Sequence, residues 1–574
     1  MNYLAEYERW LHSPILTEEE KESIRKIDSE EEKKLAFGQT LEFGTAGLRS
    51  QMAMGPGRMN IYTVAQATQG MANLIKSEGG EARGAVVGYD SRHHSSLFAR
   101  VAAEVLVGNG IKTYLFDNLR PTPELSFAIR ELSCIAGINI TASHNPKQYN
   151  GYKAYWEDGA QLSPEQAAVV SEAIDKVEVL GGALRTPFEE ALSSGRITLL
   201  HEDFDERYLS AIEKTVIDRE AIERVADELK IVYTPLHGAG RRLIPLILER
   251  MGFRHIHPVA EQMIPDGDFP TVIKPNPEYP EVFTLGIRLA NEVGSDLIIA
   301  SDPDADRTGV MARQGDGSFY PISGNQMGAL LLHYIIGARR RLGKLQENAF
   351  TIKSIVSTDI ITKICEVNGI RLHDVLTGFK YIGEVIKEHE AIGREGDFIF
   401  AFEESYGYLT GTYARDKDAV GTTLMIAEMT AYYKSRGMTL CDALRELYET
   451  YGTYREKTTE IYMEGLDGIE RRRRVMTRLR KDPPKTLGGA EIVSVGDYLS
   501  GFFTDLVSGE KTPTGQSESD VLSYKTALGD KVIIRPSGTE PKIKIYYLVS
   551  GKSREEAEEK IRAYEKDAQE FSKV

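Results

Sequence analysis

Cysteine is scarce: Cys134, Cys365 and Cys441 are the only three in 574 residues, far apart and without a C-x-x-C pair. An odd, scattered set fits neither a disulfide framework nor a structural zinc site, and it points to a reducing cytoplasm. Long apolar runs are missing too. None reaches the ~18 residues a bilayer span needs, and Glu6, Glu8 and Arg9 stand where a secretory signal would be apolar, so neither membrane insertion nor signal-directed export is expected. Excess positive charge is also absent. A net charge of −16 argues against a general nucleic-acid surface, which needs cationic patches to displace counterions. The run Arg471 to Arg474, with Arg478, Arg480 and Lys481, is the counter-signal. Val475, Met476 and Leu479 recur beside it at helical spacing, which makes it the solvated face of a helix.

Cofactor fingerprints are lacking as well. Gly551-Lys552-Ser553 ends like a P-loop, but Tyr546 stands where its first glycine belongs. Gly238-Ala239-Gly240 opens like a dinucleotide loop, but Leu243 replaces the third small residue. ATP and NAD are therefore not supported. Ser143 lacks the G-x-S-x-G elbow, and in an extended backbone His144 points away from it, which excludes a hydrolase triad.

What is present is an ordinary soluble composition, 41% hydrophobic and 27% charged, on a chain too long for one core. Residues 1 to about 40 read as acidic helices. Short apolar runs then alternate with helix-period stretches: Gly84 to Gly88 then Ser95 to Asn109, and Ile111 to Phe116 then Pro123 to Leu132. The grammar restarts at Leu229 and at Phe350, the signature of repeated α/β domains with largely parallel sheets. Boundaries are expected near 215, 320 and 455, dividing the chain into 1–215, 216–320, 321–455 and 456–574. The last block, with strands Lys531 to Ile534 and Lys542 to Val549 before a helix from Ser553, reads as a smaller α+β domain.

Four segments carry chemistry. Thr141-Ala142-Ser143-His144-Asn145-Pro146 follows the apolar run Cys134 to Ile140, and Asn150-Gly151-Tyr152-Lys153 comes soon after. A hydroxyl and an ammonium can thus converge on one phosphate. Asp302-Pro303-Asp304-Ala305-Asp306-Arg307 leaves the end of a buried run, and three hard oxygen donors at alternate positions suit Mg²⁺. An EF-hand is excluded, since Arg307 and Arg313 replace its glycine and bidentate glutamate. Arg535-Pro536-Ser537-Gly538-Thr539-Glu540-Pro541 has the ingredients of a phosphate nest. Phe402-Glu403-Glu404-Ser405-Tyr406-Gly407-Tyr408 puts carboxylates and a hydroxyl at a strand end, with Lys380, Arg415 and Lys417 as cations for an anionic ligand.

In this order and spacing the four segments resemble the α-D-phosphohexomutases over nearly the whole chain after residue 40. Phe43 to Arg49 and Tyr408 to Val420 resemble the phosphoglucomutase and phosphopentomutase branch, sometimes called the second phosphoglucomutase type. The resemblance implies a four-domain α/β architecture around a central cleft: three α/β mixed-sheet domains and a smaller C-terminal α+β domain. It implies that Ser143 carries a phosphoryl group and joins Asp302, Asp304 and Asp306 at Mg²⁺, with Arg307 beside them. Lys153, Arg49 and His144 become the other catalytic candidates, Lys153 needing a lowered pKa to exchange a proton with the substrate. Thr377, Gly378, Lys380, Glu403, Ser405, Arg415 and Lys417 become sugar contacts, and Arg535, Ser537, Gly538 and Thr539 hold the non-reacting phosphate.

Some members carry histidine two residues after the sugar-loop serine; Gly407 stands there in this chain. The Glu-Glu-Ser form resembles phosphoglucomutases and ranks glucose phosphate first. Pentose phosphates, mannose phosphate and a glucose 1,6-bisphosphate synthase stand as alternatives. The expected activity is a phosphoserine-mediated exchange through glucose 1,6-bisphosphate, on small sugar phosphates, with monomer and dimer left open. His237 is expected to be structural.

Overall fold

The structure, a computed structural model, describes every residue except 1, 45–46, 464–467, 538–541 and 573–574. The chain forms two compact units, one of residues 1–323, 382–401 and 405–440, the other of residues 324–381, 402–404 and 441–574.

The first unit begins with three short helices, Tyr3–Leu11, Glu18–Arg25 and Glu30–Phe37. Thr17 and Glu20 close a reciprocal capping box on the second, satisfying amides that a short helix leaves open. Trp10, fully buried, meets Phe37 and Tyr62 edge-on at centroid distances of 6.1 and 5.7 Å. A six-stranded sheet follows, ordered Leu48–Gln51, Tyr149–Trp156, Ala136–Ile140, Ala85–Tyr89, Thr113–Phe116 and Ile197–Leu200. It is mixed: the last four strands run parallel, while Tyr149–Trp156 is antiparallel to both its neighbours. Ala136–Ile140 is buried throughout, as a strand covered by helices on both faces must be. Its register with Tyr149–Trp156 sets Asn139 opposite Lys153, so the lysine stands near the end of the sheet from which Ser143 emerges.

A second sheet is ordered Phe319–Ile322, Thr308–Arg313, Leu297–Ser301, Lys230–Thr234 and His255–Pro258. Its central strand, Leu297–Ser301, is wholly buried. Burying its leucine and isoleucines contributes about 1.5–3 kcal/mol for each side chain. Ser301 pairs with Thr308 across an antiparallel hairpin, so Asp302 to Arg307 are its connecting loop.

In the second unit, Phe350–Ser354 and Arg371–Val375 pair in parallel around the helix Ile360–Asn368. The last part is an antiparallel sheet running from Thr453–Tyr462 through Lys542–Gly551, Lys531–Pro536, Leu522–Thr526, Ala490–Asp497 and Phe502–Asp505 to Lys511–Pro513. Helices Gly468–Lys481 and Arg554–Ala568 pack on it, with Val475, Met476 and Leu479 joining Ile534, Ile545 and Tyr564 in one core. The apolar face read between the arginines is therefore a core face. The arginines do not all stand in solvent, since Arg480 bonds Asp497 and Asp520.

Of the expected boundaries, 215 falls between sheets, while 320 falls inside Phe319–Ile322 and 455 inside Thr453–Tyr462. Among the described residues no helix is long and apolar enough to cross a membrane, and all three cysteines are free.

Candidate active site

Ser143 follows the end of a buried strand with φ of 50°, in the left-handed region that a non-glycine residue enters only at a cost. Its amide donates to Thr141 Oγ1 at 2.8 Å, and its hydroxyl donates to Asp302 Oδ2 at 2.7 Å. Nδ1 of His144 lies 3.1 Å from the same hydroxyl. The expectation that His144 points away is thus overturned, because it assumed an extended backbone and the left-handed turn brings the ring back. Burial, then the charges of Arg307 and Arg49, hold the His144 pKa well below its usual value, so the imidazole beside Ser143 is neutral.

The loop after Leu297–Ser301 is tightened by Ala305, with φ of 51°, and by Asp302 Oδ1, which accepts the amides of Asp306 (3.1 Å) and Arg307 (3.0 Å). Asp304 Oδ2 accepts from Thr122 Oγ1 at 2.8 Å and from Lys153 Nζ at 2.7 Å. Asp306 Oδ2 accepts from Lys153 Nζ at 3.0 Å and faces Lys417 Nζ at 3.3 Å. One oxygen from each of the three carboxylates lies within 4.8 Å of the others. Oδ1 of Asp304 and Oδ1 of Asp306 are buried with no hydrogen-bond partner among the described residues. Buried lone pairs without partners are costly, and hard oxygen donors so grouped fit a hard divalent cation.

Burial, then Asp304 and Asp306, push the Asp302 carboxyl well above the carboxylate range. Burial pushes the same way at Asp304 and Asp306, but Lys153 outweighs it at Asp304, and Lys153, Lys417 and Arg307 outweigh it at Asp306. The lowered pKa expected of Lys153 is not found: burial depresses it, and Asp304 and Asp306 more than reverse the effect.

The other candidates separate. Arg49 lies on Leu48–Gln51, paired with Gly151, and donates to Asn145 Oδ1 at 3.1 Å. Its strand approaches closely because Gly47, with φ of 77°, has no Cβ; one would stand 1.8 Å from the Tyr152 carbonyl oxygen. Arg307 pairs with Glu278. Lys417 reaches the loop of Asp302 to Arg307 and is held by Asp416 at 2.9 Å, whose other oxygen accepts from Tyr155 at 2.8 Å. Arg415, expected as a cation for an anionic ligand, is held within the protein. It is 1% exposed, its guanidinium bonds Glu390 at 2.8 Å and the carbonyls of Thr412 and Ala414, and burial lowers its pKa to about 10. Ser405 precedes Tyr406, whose carbonyl accepts from Thr308 at 3.0 Å. His237 is structural: both ring nitrogens are engaged, with the Ile264 carbonyl and Thr271 Oγ1, each at 2.9 Å.

In the second unit, Glu403 Oε1 accepts the amide of Gly378 at 2.7 Å, and Thr377 Oγ1 is buried without a hydrogen-bond partner among the described residues. Lys380 Nζ lies 4.8 Å from the centre of the Tyr381 ring. Ser354 and Ser357 both donate to Glu404 Oε2, at 3.0 and 3.4 Å. Arg535 pairs in register with Lys544, and the Ser537 amide donates to the Lys542 carbonyl at 2.9 Å. Gly538 and Thr539 lie outside the described residues.

Sequence reasoning missed Asp90, Arg92, Thr122 and Asp416. Asp90 and Arg92 offered a usable signal, charged residues at the end of a buried strand, the same signal that singled out Asp302. Thr122 offered none, since it acts through a contact far away in sequence, and Asp416 showed only its neighbour Lys417, not the distant Tyr155 it also holds.

Models of the phosphoglucomutase/phosphomannomutase α/β/α domains I, II and III match residues 40–180, 206–315 and 323–451. The chain is 38% identical over 523 residues to a phosphoglucomutase of Staphylococcus epidermidis, covering 91% of this chain and 92% of that one. It is 36% identical over 540 residues to a phosphoglucomutase of Staphylococcus aureus, covering 93% and 94%. Its fold is similar to that of the Paramecium phosphoglucomutase pp63/parafusin in an open form, with a TM-score of 0.67 at 18% identity over 93% of this chain and 95% of that one. It is also similar to a Burkholderia thailandensis phosphoglucomutase/phosphomannomutase family protein, with a TM-score of 0.64 at 17% identity over 93% and 98%. With three family domains in order and more than a third of its residues identical to curated members across nine-tenths of its length, the chain belongs to the phosphoglucomutase/phosphomannomutase family.

Proposed function

We propose that the protein is an α-phosphoglucomutase, interconverting glucose 1-phosphate and glucose 6-phosphate through phosphorylated Ser143 and a glucose 1,6-bisphosphate intermediate. The observation that carries the reading is the Ser143 hydroxyl 2.7 Å from Asp302, in a loop whose other two carboxylates hold Lys153, on a chain 38% identical to a bacterial phosphoglucomutase.

Asp302, Asp304, Asp306 and Ser143 are the residues to hold Mg²⁺; the ion would offset charge on the transferring phosphoryl group. In the forward step the Ser143 Oγ–P bond breaks as the free sugar hydroxyl forms a new O–P bond, and the proton that hydroxyl loses is the one the departing Ser143 Oγ gains. Ser143 Oγ takes up a proton as it leaves and returns it when the bisphosphate rephosphorylates it. Neutral His144 Nδ1, 3.1 Å from Ser143 Oγ, is placed to exchange that proton. Lys153, kept as an ammonium by Asp304 and Asp306, serves as donor and charge partner to the substrate oxygen. Arg49 neutralises the phosphoryl oxygens.

Thr377, Gly378, Lys380, Glu403, Ser405 and Lys417 are assigned to the sugar, and Arg535, Ser537, Gly538 and Thr539 to the non-reacting phosphate. The division near 215, 320 and 455 into four domains and a cytoplasmic location belong to the same proposal.

A coupled assay tests it: purified protein, Mg²⁺, catalytic glucose 1,6-bisphosphate, and glucose, mannose, glucosamine and ribose 1-phosphates compared by kcat/KM. The highest value is expected for glucose 1-phosphate. An equal or higher value for ribose 1-phosphate overturns the assignment.

A further inference from the structure

Ser143 is held in its left-handed conformation by a buried pair that the phosphoryl chemistry does not use. Asp90 and Arg92 follow the strand Ala85–Tyr89 and are 2% and 3% exposed. The Arg92 guanidinium donates to four carbonyls of the Ser143 loop: Nη2 to Ser143 (2.6 Å) and Asn145 (2.5 Å), Nη1 to Pro146 (3.0 Å) and Tyr149 (3.0 Å). Phe269 covers it, with its ring centre 5.1 Å from the guanidinium carbon. Asp90 works from the other side. Its Oδ2 accepts from Thr141 Oγ1 at 2.6 Å, and that oxygen accepts the Ser143 amide at 2.8 Å. Its Oδ1 accepts from the Ser95 hydroxyl at 2.7 Å and the Arg92 amide at 2.9 Å, and Oδ2 lies 3.4 Å from Arg92 Nε.

Both backbone polar groups of Ser143 are therefore tied to one acid–base pair, the carbonyl to Arg92 directly and the amide to Asp90 through Thr141. A left-handed non-glycine residue persists only where its surroundings over-determine it, and here they do. The choice of arginine follows from geometry. A planar fork with five donors spans several fixed acceptors, whereas a lysine ammonium is a single point charge.

We infer that Arg92, with Asp90 and Thr141, is a positioning device that fixes the Ser143 hydroxyl for phosphoryl transfer without touching the substrate. The inference rests on the proposed function for its kinetic consequence, and on hydrogen exchange alone for the clamp itself. Arg92→Lys keeps the charge and loses the fork; Thr141→Val keeps the shape and loses the relay. In either variant of the full chain, exchange at the Ser143 amide is expected to speed up at least about tenfold, with the amides of Ala136–Ile140 unchanged.

Turnover is expected to fall at least about tenfold while KM stays within about threefold, the pattern of lost transition-state geometry. Should Arg92→Lys fail to fold, Thr141→Val carries the test. Unchanged exchange at Ser143, or a loosened loop with parental kcat, overturns the inference. Should the parent fail to interconvert glucose phosphates, the functional reading falls while exchange at Ser143 still decides the clamp.

Discussion

Gly407 gives the sharpest structural test, because the effect of adding one carbon there can be worked out. Its φ is not in the left-handed region, so alanine meets no backbone strain. The new Cβ, however, would stand 2.0 Å from Cδ and 2.6 Å from Cγ of Lys417. The lysine stem must then move by more than about 1 Å to reach ordinary contact, since carbons pack at about 3.5–4.0 Å. Lys417 is 8% exposed and has little room, and its Nζ sits 2.9 Å from Asp416 and 3.3 Å from Asp306. Moving the stem takes the ammonium off both carboxylates.

A lost buried hydrogen bond to a charged group costs about 1.5–3 kcal/mol, so Gly407→Ala is expected to lower stability by about 2 kcal/mol. If Lys417 supports Asp306 in the reacting state, kcat/KM falls by about 10- to 100-fold as well. The assay is urea denaturation and steady-state kinetics on Gly407→Ala, Lys417→Ala and the double variant. In the Lys417→Ala background the stem is gone, and the added carbon should cost less than about 0.5 kcal/mol. Equal costs of Gly407→Ala in both backgrounds would refute the reasoning, as would a single variant with parental stability and kinetics.

Three further outcomes are expected. Asp304→Asn removes one anionic ligand and should raise the Mg²⁺ concentration for half-maximal activity at least about tenfold, with the same weakening seen for Mn²⁺ by electron paramagnetic resonance; unchanged metal dependence would count against the triad. Glu456 is raised from 4.5 to about 7, chiefly by burial. Its protonated form is favoured in the fold, so the stability it contributes is full below pH 4.5 and is lost as pH rises towards 7. Glu456→Gln should therefore unfold about 1–2 kcal/mol later than the parent at pH 8, converging with it near pH 4.5, and a difference independent of pH would exclude this origin. Arg415→Met leaves Glu390 with Arg130 alone, and should lower the urea midpoint while leaving KM for glucose 1-phosphate within about twofold; a large rise in KM would restore Arg415 to the sugar site.

The chemistry was legible where residue type and local pattern coincide. The strand ends before Ser143 and Asp302, and the alternating aspartates, announce themselves because a buried apolar run gives way to polar groups. The conformation of those loops was less legible. His144 comes to the Ser143 hydroxyl only through a single positive φ, and nothing in the hexapeptide requires one. Arg415 and Lys417 stand two residues apart and look equivalent, yet one is held by Glu390 and the other reaches Asp306. Their partners come from other parts of the chain, and sequence spacing does not encode that choice. The protonation of Lys153 was hidden for the same reason, since two carboxylates more than 150 residues away outweigh its burial.

The central claim is that Ser143 carries the phosphoryl group. Its most direct test is a pulse and chase, with enzyme phosphorylated by ³²P-labelled glucose 1,6-bisphosphate, mapped by peptide mass spectrometry, then mixed with unlabelled glucose 1-phosphate. The account predicts label on Ser143 alone, absent from Ser143→Ala, and transferred into the sugar phosphate pool as fast as turnover. Label on another residue, or turnover by Ser143→Ala at a rate near that of the parent, would contradict it.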